Sequence, residues 1–127
     1  MRRTFLIVPV IAMLASLALA TGASAKPIEK TCMASSPNVV GKKITGTLYA
    51  TNVDPSQARF ATCAQAKKAM VKTTELRVEK PRITAAFRCT PTVKRTNPDV
   101  VAYKCVFKGA DTATYIRVTF QVKYNQD

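Results

Sequence analysis

The sequence contains no histidine and no tryptophan, and only four of its 127 residues are glycine. Without histidine the chain lacks the commonest general base and metal ligand of proteins, which excludes Ser-His and Cys-His nucleophile systems. The four glycines form no Gly-rich phosphate loop, and the seven acidic residues include no obvious pair of catalytic carboxylates. The sequence therefore predicts a protein that is not an enzyme and that uses no cofactor and no metal.

The first 25 residues have the three parts of a secretory signal peptide. Arg2 and Arg3 give a positive start, residues 5–20 carry no charge, and Ala23-Ser24-Ala25 is a small-residue cleavage site. An uncharged run of 16 residues is shorter than a transmembrane anchor requires, which is roughly 20. The paired arginines leave open the twin-arginine export route. We expect residues 1–25 to be removed and the protein to be exported, to the periplasm or the extracellular space.

The remaining 102 residues are expected to form one domain with a strong positive charge. The chain has 20 Lys+Arg against seven Asp+Glu, and because Arg2 and Arg3 belong to the expected signal peptide, the mature part keeps a net charge of +11. Such a field favours anionic partners. All four cysteines fall in this part, and an even number in an exported chain predicts two disulfides. Their wide spacing, without a C-x-x-C motif, does not favour a metal site.

The mature chain divides into an extended N-terminal arm, residues 26–43, and a single domain of the α+β class, residues 44–127. The arm has little periodicity, whereas Ile44–Ala50 alternates between apolar and polar residues as a half-buried strand does. Further strands are predicted around Leu76–Glu79, Ile83–Lys94, Val100–Lys108 and Thr112–Tyr124.

One helix is predicted from Pro55 to about Lys72. Asp54 is expected to cap it, because its carboxylate can accept from the free amides and proline suits the first helical position. The stretch has no glycine and is rich in alanine. We therefore expect one helix packed on the apolar face of a four- to five-stranded antiparallel sheet, with two disulfides.

The pattern of apolar residues predicts how the strands pair and which cysteines bond. One register sets Cys89 opposite Cys105 with their core faces matched, and it predicts an odd-length loop centred on Asn97. Directly opposed residues lie within disulfide distance, so a Cys89–Cys105 bond is expected, which leaves Cys32–Cys63.

The last hairpin requires an even-length loop across residues 109–112 to match the core faces. A register that pairs Cys105 with Ile116 and Tyr103 with Val118 satisfies this requirement.

The same alternation predicts a basic outer face on the sheet. Acidic residues are absent from the outward positions of the last three strands, and Glu75 and Glu79 are expected on a neighbouring strand. Cations on adjacent strands can together hold phosphates or sulfates. The candidate anion-binding residues are Arg88, Lys94, Lys104, Lys108, Tyr115, Arg117 and Lys123.

Two functions are compatible with the charge and the strand pattern. The first is a small exported, non-enzymatic binding protein that holds an anionic glycan, lipopolysaccharide or acidic protein on its basic sheet face. The alternative is a charge-independent protein interaction, as an inhibitor, secreted effector or envelope-assembly factor, through loops or an open sheet edge. A solvated basic surface without a ligand also fits the pattern. Nucleic acid is not expected as a ligand, because base-stacking sheets display several aromatic rings and this sequence offers few.

Overall fold

The computed structural model describes residues 26–109 and 113–126. A six-stranded antiparallel sheet makes up most of this part, with strand order β1-β2-β6-β5-β4-β3. The expected signal peptide lies outside the described residues. The strands are β1 (Ile28–Ser35), β2 (Lys43–Thr51), β3 (Arg82–Thr84), β4 (Phe87–Arg95), β5 (Val100–Lys108) and β6 (Tyr115–Lys123).

The prediction of four to five strands is wrong, because the sheet gains two strands and loses one. The arm supplies β1, which pairs along its length with β2. The predicted strand Ile83–Lys94 is two strands, β3 and β4, joined by a turn at Ala85 and Ala86. The residues around Leu76 form no strand, because the Leu76 amide still donates to the carbonyl of Lys72 and so ends a helix.

The helical region contains two helices instead of one. A 3₁₀-helix covers Pro55–Phe60, and Asp54 caps it by accepting from the Ser56 amide, as its sequence position predicts. Hydrogen bonds from the hydroxyl and the amide of Ser56 lower the pKa of the Asp54 carboxyl. The α-helix α1 (Cys63–Glu75) then starts anew, because Thr62 has an extended backbone and accepts from the Gln65 amide as a second cap.

The core lies between α1 and one face of the sheet. Alternate residues of the central strands are fully buried there, and α1 packs across β1 and β2. Gly46 of β2 allows this close approach, since a Cβ at that position would lie 2.6 Å from the Sδ of Met70. The opposite face of the sheet is covered by no other element of the described chain.

The two disulfides join Cys32 to Cys63 and Cys89 to Cys105, the pairing expected from the sequence. The first links β1 to the start of α1. The second links β4 to β5 in the predicted register, with Cys89 opposite Cys105 and Val93 opposite Val101.

Two details of the predicted hairpins are wrong. The β4–β5 loop spans residues 96–99, an even length, and a bulge between Val93 and Arg95 takes up the additional residue. In the β5–β6 pair, Cys105 faces Val118 and Tyr103 faces Phe120, two residues further along β6 than predicted. The shift is an even number, so every side chain remains on its predicted face.

Candidate anion-binding site

The open face of the sheet, opposite α1, carries the predicted basic residues. In each central strand the buried residues face α1, and their neighbours along the chain point the other way. Arg88, Lys104, Lys108, Tyr115, Arg117 and Lys123 have this outward parity, and Lys94 lies beside them in the bulged end of β4.

One row of directly paired residues crosses all six strands on the open face. Its order is Glu29, Tyr49, Arg117, Val106, Arg88 and Ile83, each residue being the register partner of the next. Val106 on β5 therefore has Arg117 on one side and Arg88 on the other. Residues opposed in this way have Cα atoms about 4.5–5.5 Å apart.

Two lysines complete a ring of positive charge around Val106. Lys104 and Lys108 precede and follow Val106 by two residues on β5, so they share its face at a spacing of about 7 Å. With Arg88 and Arg117 they form the four-cation cluster, which brings together residues from three strands. An anion above Val106 would lie among Arg88, Lys104 and Lys108, with Arg117 on the neighbouring strand.

No carboxylate neutralises this cluster within the part of the chain that the structure describes. None of its four cations has a carboxylate oxygen of a described residue within 4.0 Å. The ion pair found among the described residues joins Arg77 to Asp99 at 3.8 Å, away from the cluster. Glu29 lies in the same row but at its far end, separated from Arg117 by Tyr49. Neighbouring cations without counter-charges create a positive potential that attracts anions.

The prediction that Glu75 and Glu79 lie on a neighbouring strand is wrong. Glu75 is the last residue of α1, and Glu79 lies in the segment between α1 and β3. Both belong to the end of the helix and its following loop because α1 runs three residues further than the sequence predicts. The acidic residue that the described sheet does display on its open face is Glu29 of edge strand β1.

Arg117 is held in place by aromatic contacts. Its guanidinium carbon lies 4.9 Å from the centre of the Tyr49 ring, and the Tyr49 and Tyr115 rings meet edge to face with centres 6.5 Å apart. Cation–π contact of this kind fixes a guanidinium at a modest energy of about 0.5–1 kcal/mol. The Nε of Arg117 is buried and has no hydrogen-bond partner among the described residues. Among the described residues, the contact that holds its guanidinium is therefore the packing on Tyr49 and not a hydrogen bond from Nε.

A groove of about 740 Å³ opens beside the four-cation cluster, toward the β3–β4 turn. It contains three of the four cations, together with hydroxyl groups and three apolar side chains. Its lining residues are Ile83, Ala86, Arg88, Thr90, Thr92, Lys104, Val106, Lys108 and Tyr115. The volume falls in the range of sites for small molecules, roughly 300–1,000 Å³.

The structure separates the remaining predicted residues from this groove. Lys94 lines a second, shallower depression of about 410 Å³ next to it, which shares Lys104 and Thr92 with the groove. Lys123 pairs with Val100 near the other end of the sheet. Arg117 borders the groove through Val106 but does not line it.

Several residues of the open face are not among the anion-binding residues predicted from the sequence. Lys43 and Tyr49 share the outward parity of β2, a signal that the alternation of that strand already contains. Ile83 and Ala86 reach the groove only because β3 folds back on β4, and the sequence carries no glycine or asparagine that marks this turn.

Comparison with known proteins finds no relative of this chain. The chain matches no protein-family model, and it is similar to no curated protein and no solved structure. Among the described residues there is no group of His, Cys, Asp and Glu side chains placed to hold a metal ion. In the same part of the chain, no helix combines the length and the apolar character that a membrane crossing requires.

Proposed function

We propose that this is an exported, non-enzymatic binding protein that holds an anionic ligand on the open face of its sheet. The observation that carries the proposal is the four-cation cluster around Val106, which has no carboxylate partner within the described residues. Anionic glycans, lipopolysaccharide and acidic proteins present suitable groups. Two disulfides in a small domain are typical of proteins that fold outside the reducing cytoplasm.

The geometry favours groups with several negatively charged oxygens. Arg88 and Arg117 lie on the strands on either side of Val106, and a guanidinium donates two parallel hydrogen bonds to a phosphate or sulfate. Lys104 and Lys108 add point charges above and below on β5. The fixed position of Arg117 on the Tyr49 ring reduces the conformational entropy that ligand binding would otherwise cost.

Nucleic acid is not the ligand that we propose. Sheets that bind single strands stack bases on open aromatic rings. The open face has Tyr49 and Tyr115 close together, and one of these rings is covered by the Arg117 guanidinium. A ligand held by its phosphate or sulfate groups fits the face better than one held by its bases.

The test compares two variants that lose the same charge from opposite sides of the molecule. Arg88, Lys104 and Lys108 are replaced by Gln in the site variant, and Lys67, Lys68 and Lys72, exposed residues of α1, are replaced by Gln in the control. Binding of the purified, disulfide-bonded protein to lipopolysaccharide, a sulfated glycan, DNA and zwitterionic lipid is measured at about 50 mM and 200 mM salt. We expect anion binding that weakens with salt and falls about tenfold in the site variant alone.

The opposite results are equally informative. Equal losses in both variants would mean that net charge, and not the open face, attracts the anion. Absence of binding to every anion, or binding unchanged by salt and by the site variant, would refute the proposal. The search would then turn to a charge-independent protein interaction at a loop or at the β1 or β3 edge of the sheet.

A further inference from the structure

The groove beside the four-cation cluster combines charged and apolar surface in a way that a purely polar anion does not explain. Ile83 on β3 is 68% exposed although it is a large aliphatic residue. It pairs directly with Arg88, so a large exposed apolar side chain lies next to a cationic one at the edge of the sheet. Ala86, in the turn between β3 and β4, adds an exposed methyl group to the same wall.

The two kinds of surface lie at different sides of the groove. Lys104 and Lys108 stand on β5, at the side nearer the centre of the sheet, whereas Ile83 and Ala86 form the β3–β4 edge. Arg88 lies between them. A molecule that carries its negative charge at one end and hydrocarbon at the other would match both sides at once.

We infer that the groove binds a single phosphorylated amphiphile, with its phosphate above Val106 on Arg88, Lys104 and Lys108 and its acyl chain against Ile83 and Ala86. The inference rests on the proposed function and specifies the ligand class of that site. Charge complementarity selects the phosphate end, and the exposed aliphatic wall selects a hydrocarbon end, because burying apolar surface is favourable. The groove volume, about 740 Å³, is that of a site for one molecule.

A bare glycan phosphate fits this groove less well. Such a ligand would leave Ile83 in water or cover it with polar groups, and neither change stabilises the complex. The hydroxyl groups of Thr90 and Tyr115 can hydrogen-bond a head group, and Tyr115 is the register partner of Lys108. The polar residues of the groove therefore serve the phosphate end.

The experiment uses three probes that separate the two parts of the ligand. Dodecyl phosphate carries both parts, ethyl phosphate carries essentially the head alone, and dodecyl maltoside carries the chain without the charge. Each is titrated into the purified protein below its micelle concentration and followed by NMR chemical shifts. We expect dodecyl phosphate to bind at least about tenfold more tightly than either of the other two.

Ile83→Thr isolates the apolar wall, since threonine keeps the β-branched shape that suits a strand. We expect this variant to bind dodecyl phosphate several-fold more weakly and ethyl phosphate as before. Met33→Thr is the matched control, because Met33 is a similarly exposed (54%) apolar residue of an edge strand, on β1. Retained ethyl phosphate affinity shows that Ile83→Thr is folded, and Ala86→Ser provides a second test of the same wall.

The possible failures point to different conclusions. Equal affinities for dodecyl and ethyl phosphate, or equal effects of Ile83→Thr and Met33→Thr, would overturn the amphiphile inference and leave the anion-binding face intact. Binding of dodecyl maltoside as tight as that of dodecyl phosphate would overturn it as well. Binding to phosphatidic acid vesicles without binding to monomeric dodecyl phosphate would overturn it in favour of a membrane surface. Failure of every anion, polymeric or monomeric, would refute the proposed function itself.

Discussion

The hydroxyl oxygens of Tyr103 and Tyr124 lie 2.6 Å apart in the core, where both residues are almost completely buried. Tyr103 also donates a hydrogen bond to the carbonyl oxygen of Val78, at 2.8 Å. The Tyr124 hydroxyl therefore donates to the Tyr103 oxygen. This chain of bonds ties β5 and the residue that follows β6 to the segment after α1.

Tyr103 makes the free energy of unfolding depend on pH in the alkaline range. Burial, the largest cause, and the bond with Tyr124 raise the pKa of Tyr103 above its usual range, and burial raises the pKa of Tyr124. In the unfolded chain a tyrosine ionises near pH 10. The unfolded state therefore loses protons first, and the stability due to these two residues is complete below about pH 10 and declines above it.

Tyr103→Phe tests this dependence. We expect the free energy of unfolding to fall by about 1–2 kcal/mol at pH 8, because the Val78 carbonyl and the Tyr124 hydroxyl each lose a partner. Between pH 10 and 11 the variant should lose less stability per pH unit than the natural protein, by up to about 1.4 kcal/mol. Urea unfolding at several pH values measures both effects, and parallel pH profiles would contradict the argument.

Gly46 is required by the packing of α1 on the sheet. An added Cβ would lie 2.6 Å from Met70 Sδ and 3.2 Å from the Thr119 carbonyl oxygen, and Met70 is fully buried. We expect Gly46→Ala to lower stability by about 1–3 kcal/mol, the usual cost of overpacking a core. In a Met70→Ala background the added cost should be smaller, because the nearest obstacle is gone. Equal costs in both backgrounds, from denaturant unfolding, would show that Met70 is not the obstacle.

The Cys32–Cys63 disulfide holds the edge strand to the rest of the domain. Cys32 is the one fully enclosed residue of β1, and its bond reaches the first residue of α1. The double variant Cys32→Ala/Cys63→Ala should lose about 2–4 kcal/mol. Hydrogen exchange should show faster exchange in β1 and little change in β5, which lies inside the sheet. Uniform acceleration in both strands would show that β1 is not a separately held element.

Alternation along the strands predicted the faces of the sheet correctly, and this was enough to place the cations. Because side chains alternate with a period of two, a register error of two residues, such as pairing Cys105 with Ile116, moves no residue to the other face. The pairing of Cys89 with Cys105 followed from the same parity. For this reason the sequence was sufficient to predict an outward position for Arg88, Lys104, Lys108 and Arg117.

The parts of the fold that the sequence did not predict have no periodic signal. β1 buries little more than Cys32, so its residues do not alternate between apolar and polar. The residues around Leu76 alternate like the start of a strand. The helix nevertheless continues to Leu76 through a backbone hydrogen bond, which no residue type in the sequence indicates. The apolar wall of the groove depends on the fold of β3 against β4, a contact set by a turn of two alanines.

That turn has an unusual backbone for its residues. Ala85 and Ala86 have φ values of 47° and 70°, in the left-handed region that costs an L-residue roughly 1–2 kcal/mol. Two-residue hairpin loops of this shape favour Asn followed by Gly. We expect Ala85→Asn with Ala86→Gly to raise the free energy of unfolding by about 1 kcal/mol, since the relief exceeds the entropic cost of glycine.

Ala102→Gly is the matched control for this prediction. Ala102 lies in the middle of β5 and has no left-handed φ, so the same loss of a methyl group should lower stability there by about 0.5–1 kcal/mol. Ala85→Asn alone should stabilise the turn while leaving the Ala86 methyl group in the groove wall. Thermal and urea unfolding of the three variants compare these effects. A loss of stability in the Asn-Gly variant equal to that of Ala102→Gly would mean that the two alanines do not adopt the left-handed turn, and that the groove wall built on it has a different shape.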